Sequence, residues 1–265
     1  MMQPAIQPTS SEHALFSKIS RRLLPFLLLL FVVAYLDRVN IGFARLQMNA
    51  DLGFGDTVYG IGAGLFFIGY FLFEVPSNLI LHRVGARRWI ARIIALWGLI
   101  SAAMVWVKTP QSFYALRFLL GLGEAGFFPG IIYYLTQWYP AARRAQTVAW
   151  FLIGVPIAGL LGGPISGWLM AGMDGVLELR GWQWLFVLEG LPAVLLGLLC
   201  LWWLDDGPAT ANWLTPEEKS MLAARLRDAG TGATGTVLHT FADALAAPRV
   251  WGLAHTITHN LSITA

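Results

Sequence analysis

Charge is what this chain has least of: of its 265 residues only 12% are Asp, Glu, Lys or Arg, while 57% are hydrophobic. That is more apolar surface than a water-soluble domain of this length can bury, so a soluble fold is excluded and lipid must act as part of the solvent. Cysteine is reduced to one, Cys200. A single thiol inside an apolar stretch excludes an internal disulfide and a thiolate metal site, and leaves packing as its role. Basic residues exceed acidic ones only as 18 to 15, and they fall in short clusters between apolar runs. No continuous basic face results, which argues against nucleic acid as a partner. The first 20 residues hold no short apolar core ending in a small-residue cleavage site, so no cleaved signal peptide is expected.

What is present is a series of long apolar runs. A bilayer core about 30 Å thick takes roughly 20 helical residues per crossing. Residues 23–44, 58–81, 89–107, 111–138, 146–170 and 182–204 each fit one crossing, and a partial seventh begins at Val250. The expected fold is all-α, a six-helix membrane bundle over 23–204. Segment 1–22 precedes it, a polar linker over 205–248 follows, and 249–265 reads as the start of a seventh crossing that stops short. In the linker, Thr215-Pro216-Glu217-Glu218 combines a capping hydroxyl, a proline at the first helical position and a glutamate three residues after the cap. A short helix is expected from there to about Asp228, before Gly230.

The loops carry an orientation. Lys18, Arg21 and Arg22 precede the first run, Arg83, Arg87, Arg88 and Arg92 follow the second, and Arg143 and Arg144 follow the fourth; the alternate loops hold only Arg45, Lys108 and Arg180. The positive-inside rule then places the N-terminus in the cytoplasm, in an inner-membrane protein.

An intramembrane charge costs about 2.5 to 3.5 kcal/mol on insertion scales, so each one marks a candidate site. Asp37 and Arg38 lie in the first run, Arg117 and Glu124 in the fourth. Counted along helices of opposite direction, Arg38 lies roughly 22 Å in from one face and Arg117 roughly 9 Å in from the other, which brings both guanidinium groups to one level. Glu124 is two turns beyond Arg117 on the same side, near the midplane, and Tyr70 in the second run reaches the depth of Glu124, with Glu74 one turn further. Arginine stays charged and grips a carboxylate through two nitrogens, whereas a buried Asp or Glu can exchange a proton. The set of two arginines with carboxylates beside and below them therefore suits an anion coupled to a proton, with the Tyr70 hydroxyl open to a ligand or to Glu124. A purely structural ion pair, Asp37 with Arg38 or with Arg117, stays open as the plainer alternative.

Other features read as structure. The small residues of 121–126 and 154–167 permit close helix contact, and Pro129, Pro156 and Pro164 imply bends. Trp138, Trp182 and Trp184 fit an interfacial aromatic belt. His13, His82, His239, His255 and His259 supply no third ligand at metal spacing, so neither a metal nor another cofactor is expected. A membrane enzyme finds no support either, since no spaced nucleophile and base and no phosphate-cradling loop occur.

The stretch Ser77-Asn78-Leu79-Ile80-Leu81-His82-Arg83-Val84-Gly85-Ala86-Arg87-Arg88 resembles the signature loop of the major facilitator superfamily, with Asn78 at its first glycine position and His82 at its acidic one. Tyr35-Leu36-Asp37-Arg38-Val39-Asn40, the stretch from Arg117 to Gly130, and Gly181-Trp182-Gln183-Trp184-Leu185-Phe186-Val187-Leu188-Glu189-Gly190 are similar to segments of the anion:cation symporter family, which includes carriers of tartrate, phthalate and galactonate type. The likeness runs from about Arg21 to Glu218. It implies one half of a two-half, twelve-helix transporter working by alternating access, with Arg38 on the substrate anion, Asp37 and Glu124 carrying protons, Arg117 pairing with Asp37 during the cycle, and Tyr70 lining the site. It also implies a conformational role for Asn78, His82, Arg83, Gly85, Arg87 and Arg88, with the acidic lock modified. The glycine-proline pattern of 154–167 resembles a motif associated with antiporters, while symport with protons is the expected mode. A chain that lacks its second half could alternatively transport nothing and serve as a membrane-embedded interaction half.

Overall fold

The structure, a computed structural model, describes residues 10–230. The partial crossing expected from Val250, the linker beyond 230, and His239, His255 and His259 lie outside the described residues.

Among the described residues every regular element is helical, and six stretches are long and apolar enough to cross a membrane: Ser10–Leu52, Asp56–Val84, Ala86–Trp106, Pro110–Thr136, Ala141–Gly172 and Gly181–Trp203. The all-α bundle expected from the apolar runs is what forms. We number the helices α1 (Ser10–Leu52), α2 (Asp56–Val84), α3 (Ala86–Ala102), α4 (Pro110–Glu124), α5 (Phe127–Thr136), α6 (Ala141–Leu152), α7 (Gly154–Gly172), α8 (Gly181–Trp203) and α9 (Pro216–Gly230).

The fifth crossing is two helices, α6 and α7, and two further differences from expectation have a physical reason. α1 starts well before residue 23 because Leu15, Phe16, Ile19 and Leu23 share one face and are buried. At 43 residues the helix is about 65 Å long, twice the hydrocarbon thickness, so its N-terminal turns project beyond the lipid. The fourth crossing, expected as one helix, is two. Pro129 has no N–H to give the carbonyl of Ala125, four residues back, and its ring would press against that oxygen. The chain breaks there, with Gly126 in the left-handed region at φ 86°. Ser77 Oγ donates to the freed Ala125 oxygen at 2.7 Å, and Trp89 Nε1 donates to Ser77 Oγ at 3.0 Å, so the break is satisfied inside the protein, as lipid requires.

The bundle is assembled by backbone contact. A Cβ on Gly98 of α3 would lie 2.6 Å from the Gly190 carbonyl of α8, and one on Gly190 would lie 2.6 Å from that of Gly98. Only this reciprocal lack of side chains lets α3 and α8 touch. α1 then packs on α8 and on α7, while α2 packs on α4.

At the basic end of the bundle, α9 docks on the start of α1. Thr215 and Glu218 cap α9 reciprocally, Glu218 N to Thr215 Oγ1 at 3.2 Å and Thr215 N to Glu218 Oε2 at 2.9 Å. Glu218 also accepts from Lys18 at 2.7 Å, and Arg225 donates to Glu12 at 2.8 Å. The guanidinium of Arg22 lies 5.1 Å from the ring centre of Trp203 and 5.0 Å from that of Trp213. Trp138, stacked on Trp213 at 5.5 Å, is buried, as is Trp182. Neither belongs to a lipid-facing aromatic belt. Cys200 is buried in the core, where packing is its part.

Candidate functional site

Adjacent residues on a helix point about 100° apart, so Asp37 and Arg38 leave α1 in different directions. Arg38 enters a cavity of about 230 Å3 lined with Phe31, Ala34, Tyr35, Tyr70, Phe127 and Phe128. Its Nε donates to Glu124 Oε2 at 2.7 Å; the Arg38 side chain stays 37% exposed, Glu124 only 2%. The guanidinium carbon of Arg38 lies 5.2 Å from the ring centre of Tyr70 and 5.9 Å from that of Phe66, and that of Arg117 lies 4.8 Å from Phe66 as well. One aromatic ring thus receives two cations, which is favourable for each through the ring quadrupole and stronger away from water. The shared level of the two arginines, expected from helical rise, is what places both against Phe66.

The plainer alternative, a structural ion pair at Asp37, is not what this structure forms. Neither Asp37–Arg38 nor Asp37–Arg117 forms the ion pair; Arg38 joins Glu124 across from α1 to the last residue of α4. Asp37 turns inward instead and accepts a hydrogen bond from Ser101 of α3. Arg117 is buried, and its Nε has no hydrogen-bond partner. Glu74 is half-buried and within electrostatic reach of Arg38. Depth along an axis was readable from spacing, while the direction each side chain takes depends on how the helices are rotated, which spacing along one chain leaves open.

One turn after Asp37, Asn40 donates to Glu189 of α8. Glu189 lies inside the sixth apolar run and meets the same rule that marks Glu124, so its signal was in the sequence. Ser101, Asn40 and Phe66 carry no signal of that kind: uncharged residues in a crossing look like packing until their neighbours are known.

The sequence pattern of the Major Facilitator Superfamily matches residues 27–264. The chain belongs to the Major Facilitator Superfamily. A protein of Pseudomonas putida named as a metabolite transport protein, NicT, is 54% identical over 241 residues, covering 91% of this chain and 55% of that protein. A protein of Agrobacterium vitis named for tartrate transport is 55% identical over 243 residues, with 92% and 56% covered. The quinolone resistance transporter of Acinetobacter baumannii is 53% identical over 215 residues, with 81% and 49% covered. This chain therefore spans about half the length of the relatives it matches. A crystal structure of a bacterial homologue of the human lysosomal transporter Spinster, inward-facing and unoccupied, shares the fold with a TM-score of 0.61 at 21% identity, over 78% of this chain and 48% of that one.

As a member of the Major Facilitator Superfamily the chain is a multi-pass membrane protein of a transporter family, not an enzyme. The loop that resembles the signature segment joins α2 to α3 at the basic end. Gly85 turns the chain at φ 92° and its N–H closes α2 on the Leu81 carbonyl at 3.0 Å. The Arg87 N–H, in the first turn of α3, donates to Asp206 Oδ1 at 3.2 Å. An acidic residue thus does meet this loop, from beyond α8, although His82 holds the acidic position within it. The His82 ring stands edge-on to Tyr133 at 4.4 Å, Arg83 and Arg88 face outward, and Asn78 is half-buried near the α4–α5 break.

Proposed function

We propose that this bundle is the substrate-binding half of a longer transporter that carries a small organic anion, a sugar acid or similar carboxylate, together with protons by alternating access. We assign it to the inner membrane with the basic end and the N-terminus in the cytoplasm, on the distribution of Lys and Arg. The observation that carries the reading is Arg38: a cation partly exposed to a cavity, with its counter-ion buried behind it.

That geometry supplies a coupling. An incoming carboxylate, offered the guanidinium fork, competes with Glu124 for Arg38. Glu124, buried with its second oxygen already unpartnered, cannot keep a bare charge without its cation, and takes a proton instead. Anion binding and proton uptake then occur on one pair of side chains, with Tyr70 and Tyr35 offering hydroxyls and Arg117 holding the local potential positive. Asp37 belongs to the same exchange through its proximity to this group. A relative named for tartrate transport supports this reading, since tartrate carries the carboxylates that a guanidinium fork suits. Asn78, His82, Arg83, Gly85, Arg87 and Arg88 are assigned to the hinge loop of the rocking motion.

The test is uptake by proteoliposomes carrying the bundle within a complete transporter, under an imposed proton gradient. Sugar acids accumulate against their gradient, Arg38→Ala removes accumulation, and Glu124→Gln removes its dependence on the proton gradient. No uptake of any carboxylate tried, or uptake by Glu124→Gln that still follows the gradient, overturns the reading.

A further inference from the structure

We infer that Glu189 is a third proton-exchanging carboxyl of this bundle, on the side of α1 facing away from the anion cavity, and that Asn40 links it to Asp37. The inference rests on the proton-coupled reading for its purpose, but its test reads protonation directly and needs no transport.

Glu189 lies in the middle of α8, where a charge must be paired or neutral. Glu124 has a permanent cation beside it, whereas the partner of Glu189 is the amide of Asn40 and that of Asp37 is the hydroxyl of Ser101. The difference is chemical. An arginine only donates and stabilises the carboxylate, so it opposes protonation. An amide presents an N–H on one side and an oxygen on the other, and a hydroxyl both donates and accepts. Asn40 can donate to an ionised Glu189, or, turned over, accept from the protonated acid, with no movement of backbone. Ser101 serves Asp37 in the same two ways. These are partners that tolerate either protonation state.

The remaining valences agree. Asn40 is fully buried and its Oδ1 has no hydrogen-bond partner, while Glu189 Oε1 and Asp37 Oδ2 are also buried and unpartnered. Three acceptor oxygens with nothing to accept are costly inside a membrane bundle. Each proton added to a carboxyl converts one of these acceptors into a donor and supplies a partner to another, so protons, not a further side chain, complete the group. Asn40 is three residues after Asp37, on the same face of α1, and the contact at Gly98 and Gly190 is what brings Ser101 and Glu189 against that face together.

The charged groups around Glu189 are few. From α1, the charge of Asp37 reaches it. α7 carries no charged residue and those of α3 stop at Arg92, nine residues before Ser101. Arg38 of α1 and Arg117 and Glu124 of α4 act on Asp37. Among the described residues, Asp37 is therefore the ionisable group that stands between the cavity and Glu189, and a change of charge at the Arg38–Glu124 pair is felt at Glu189 through it.

Infrared difference spectra of the 265-residue chain in lipid nanodiscs, taken across a pH series, read protonated buried carboxyls by their C=O stretch. We expect Glu189→Gln to remove one titrating band, Asn40→Leu to move the pH at which that band appears, and Asp37→Asn to leave the band but move it as well. Should Glu189→Gln fold poorly by helix content and melting, Glu189→Asp keeps the acid one methylene shorter and must shift the band. Persistence of every band in Glu189→Gln, an unchanged spectrum in Glu189→Asp, or a Glu189 band constant at all pH values overturns the assignment. An Asp37→Asn spectrum with the Glu189 band unmoved overturns the link. A titration displaced by sodium chloride but not by choline chloride identifies a metal-cation site instead, and overturns it too.

Discussion

Arg38 has two jobs whose requirements separate under substitution. Toward Glu124 it need only be a cation near the carboxylate, which a lysine also supplies, whereas toward a ligand it must offer a planar fork. Arg38→Lys should therefore keep most of the stability of the bundle and lose at least tenfold in carboxylate affinity, about 1.4 kcal/mol. Arg38→Ala removes the charge and leaves Glu124 buried without a partner. Breaking a buried pair costs about 3–5 kcal/mol, less where one member is as exposed as Arg38 is here. Thermal melting in detergent, with and without a sugar acid, separates the two: the lysine variant melts near the parent but gains little from ligand, and the alanine variant melts lower throughout. Lipid makes an intramembrane charge conspicuous, a rule that Glu189 also met, so Asp37, Arg38, Arg117 and Glu124 were legible from apolar runs alone. Which carboxylate meets which arginine was not, since Glu124 and Asp37 lie at compatible depths and only helix rotation chooses between them.

At the level of the element, the position of Glu124 depends on the interruption that follows it. Had α4 continued, residues 125–128 would have wound on and Phe127 and Phe128 would not line the cavity beside Arg38. Ser77 holds the interruption by bonding the Ala125 carbonyl, so Ser77→Ala strands a buried acceptor at a cost of about 1–3 kcal/mol. Gly126→Ala is more severe, because a Cβ there meets Ser77 Oγ and the left-handed backbone costs a further 1–2 kcal/mol or so. We expect Ser77→Ala to lower the melting temperature and weaken carboxylate binding together, and Gly126→Ala to fail to accumulate in the membrane. Ser77→Ala with normal affinity would detach the break from the site. The number of crossings was readable because lipid thickness sets a length scale that an apolar run either meets or does not. The break was only hinted at by Pro129, since the apolar run passes through it, and the partner that makes it tolerable sits 48 residues away.

Across the molecule, the contact of α9 with the start of α1 ties the segment after the sixth crossing to the segment before the first. The hydrogen bond from Lys18 is the leading cause that holds the Glu218 carboxyl below its ordinary value of 4.5, with the backbone N–H of Thr215 adding to it. A carboxyl depressed in the folded state contributes stability that is complete above its unfolded value and is lost as pH falls through the folded one. The Lys18–Glu218 pair is partly exposed, so screening limits its share to about 1 kcal/mol or less, and the window lies below pH 4.5. Release of α9 should then precede unfolding of the apolar crossings as the pH is lowered, because those are held by backbone contact and lipid rather than by this charge. A fluorophore pair on Ser11 and Asp228 would report separation of the helices in acid before any loss of helix content. Glu218→Gln should show the helices already apart, or less firmly joined, at neutral pH with no further acid step in that window. If the parent and Glu218→Gln separate at the same pH, the Arg225–Glu12 pair and the stacking of Trp213 on Trp138 and Arg22, not the Lys18–Glu218 pair, are what keep α9 in place.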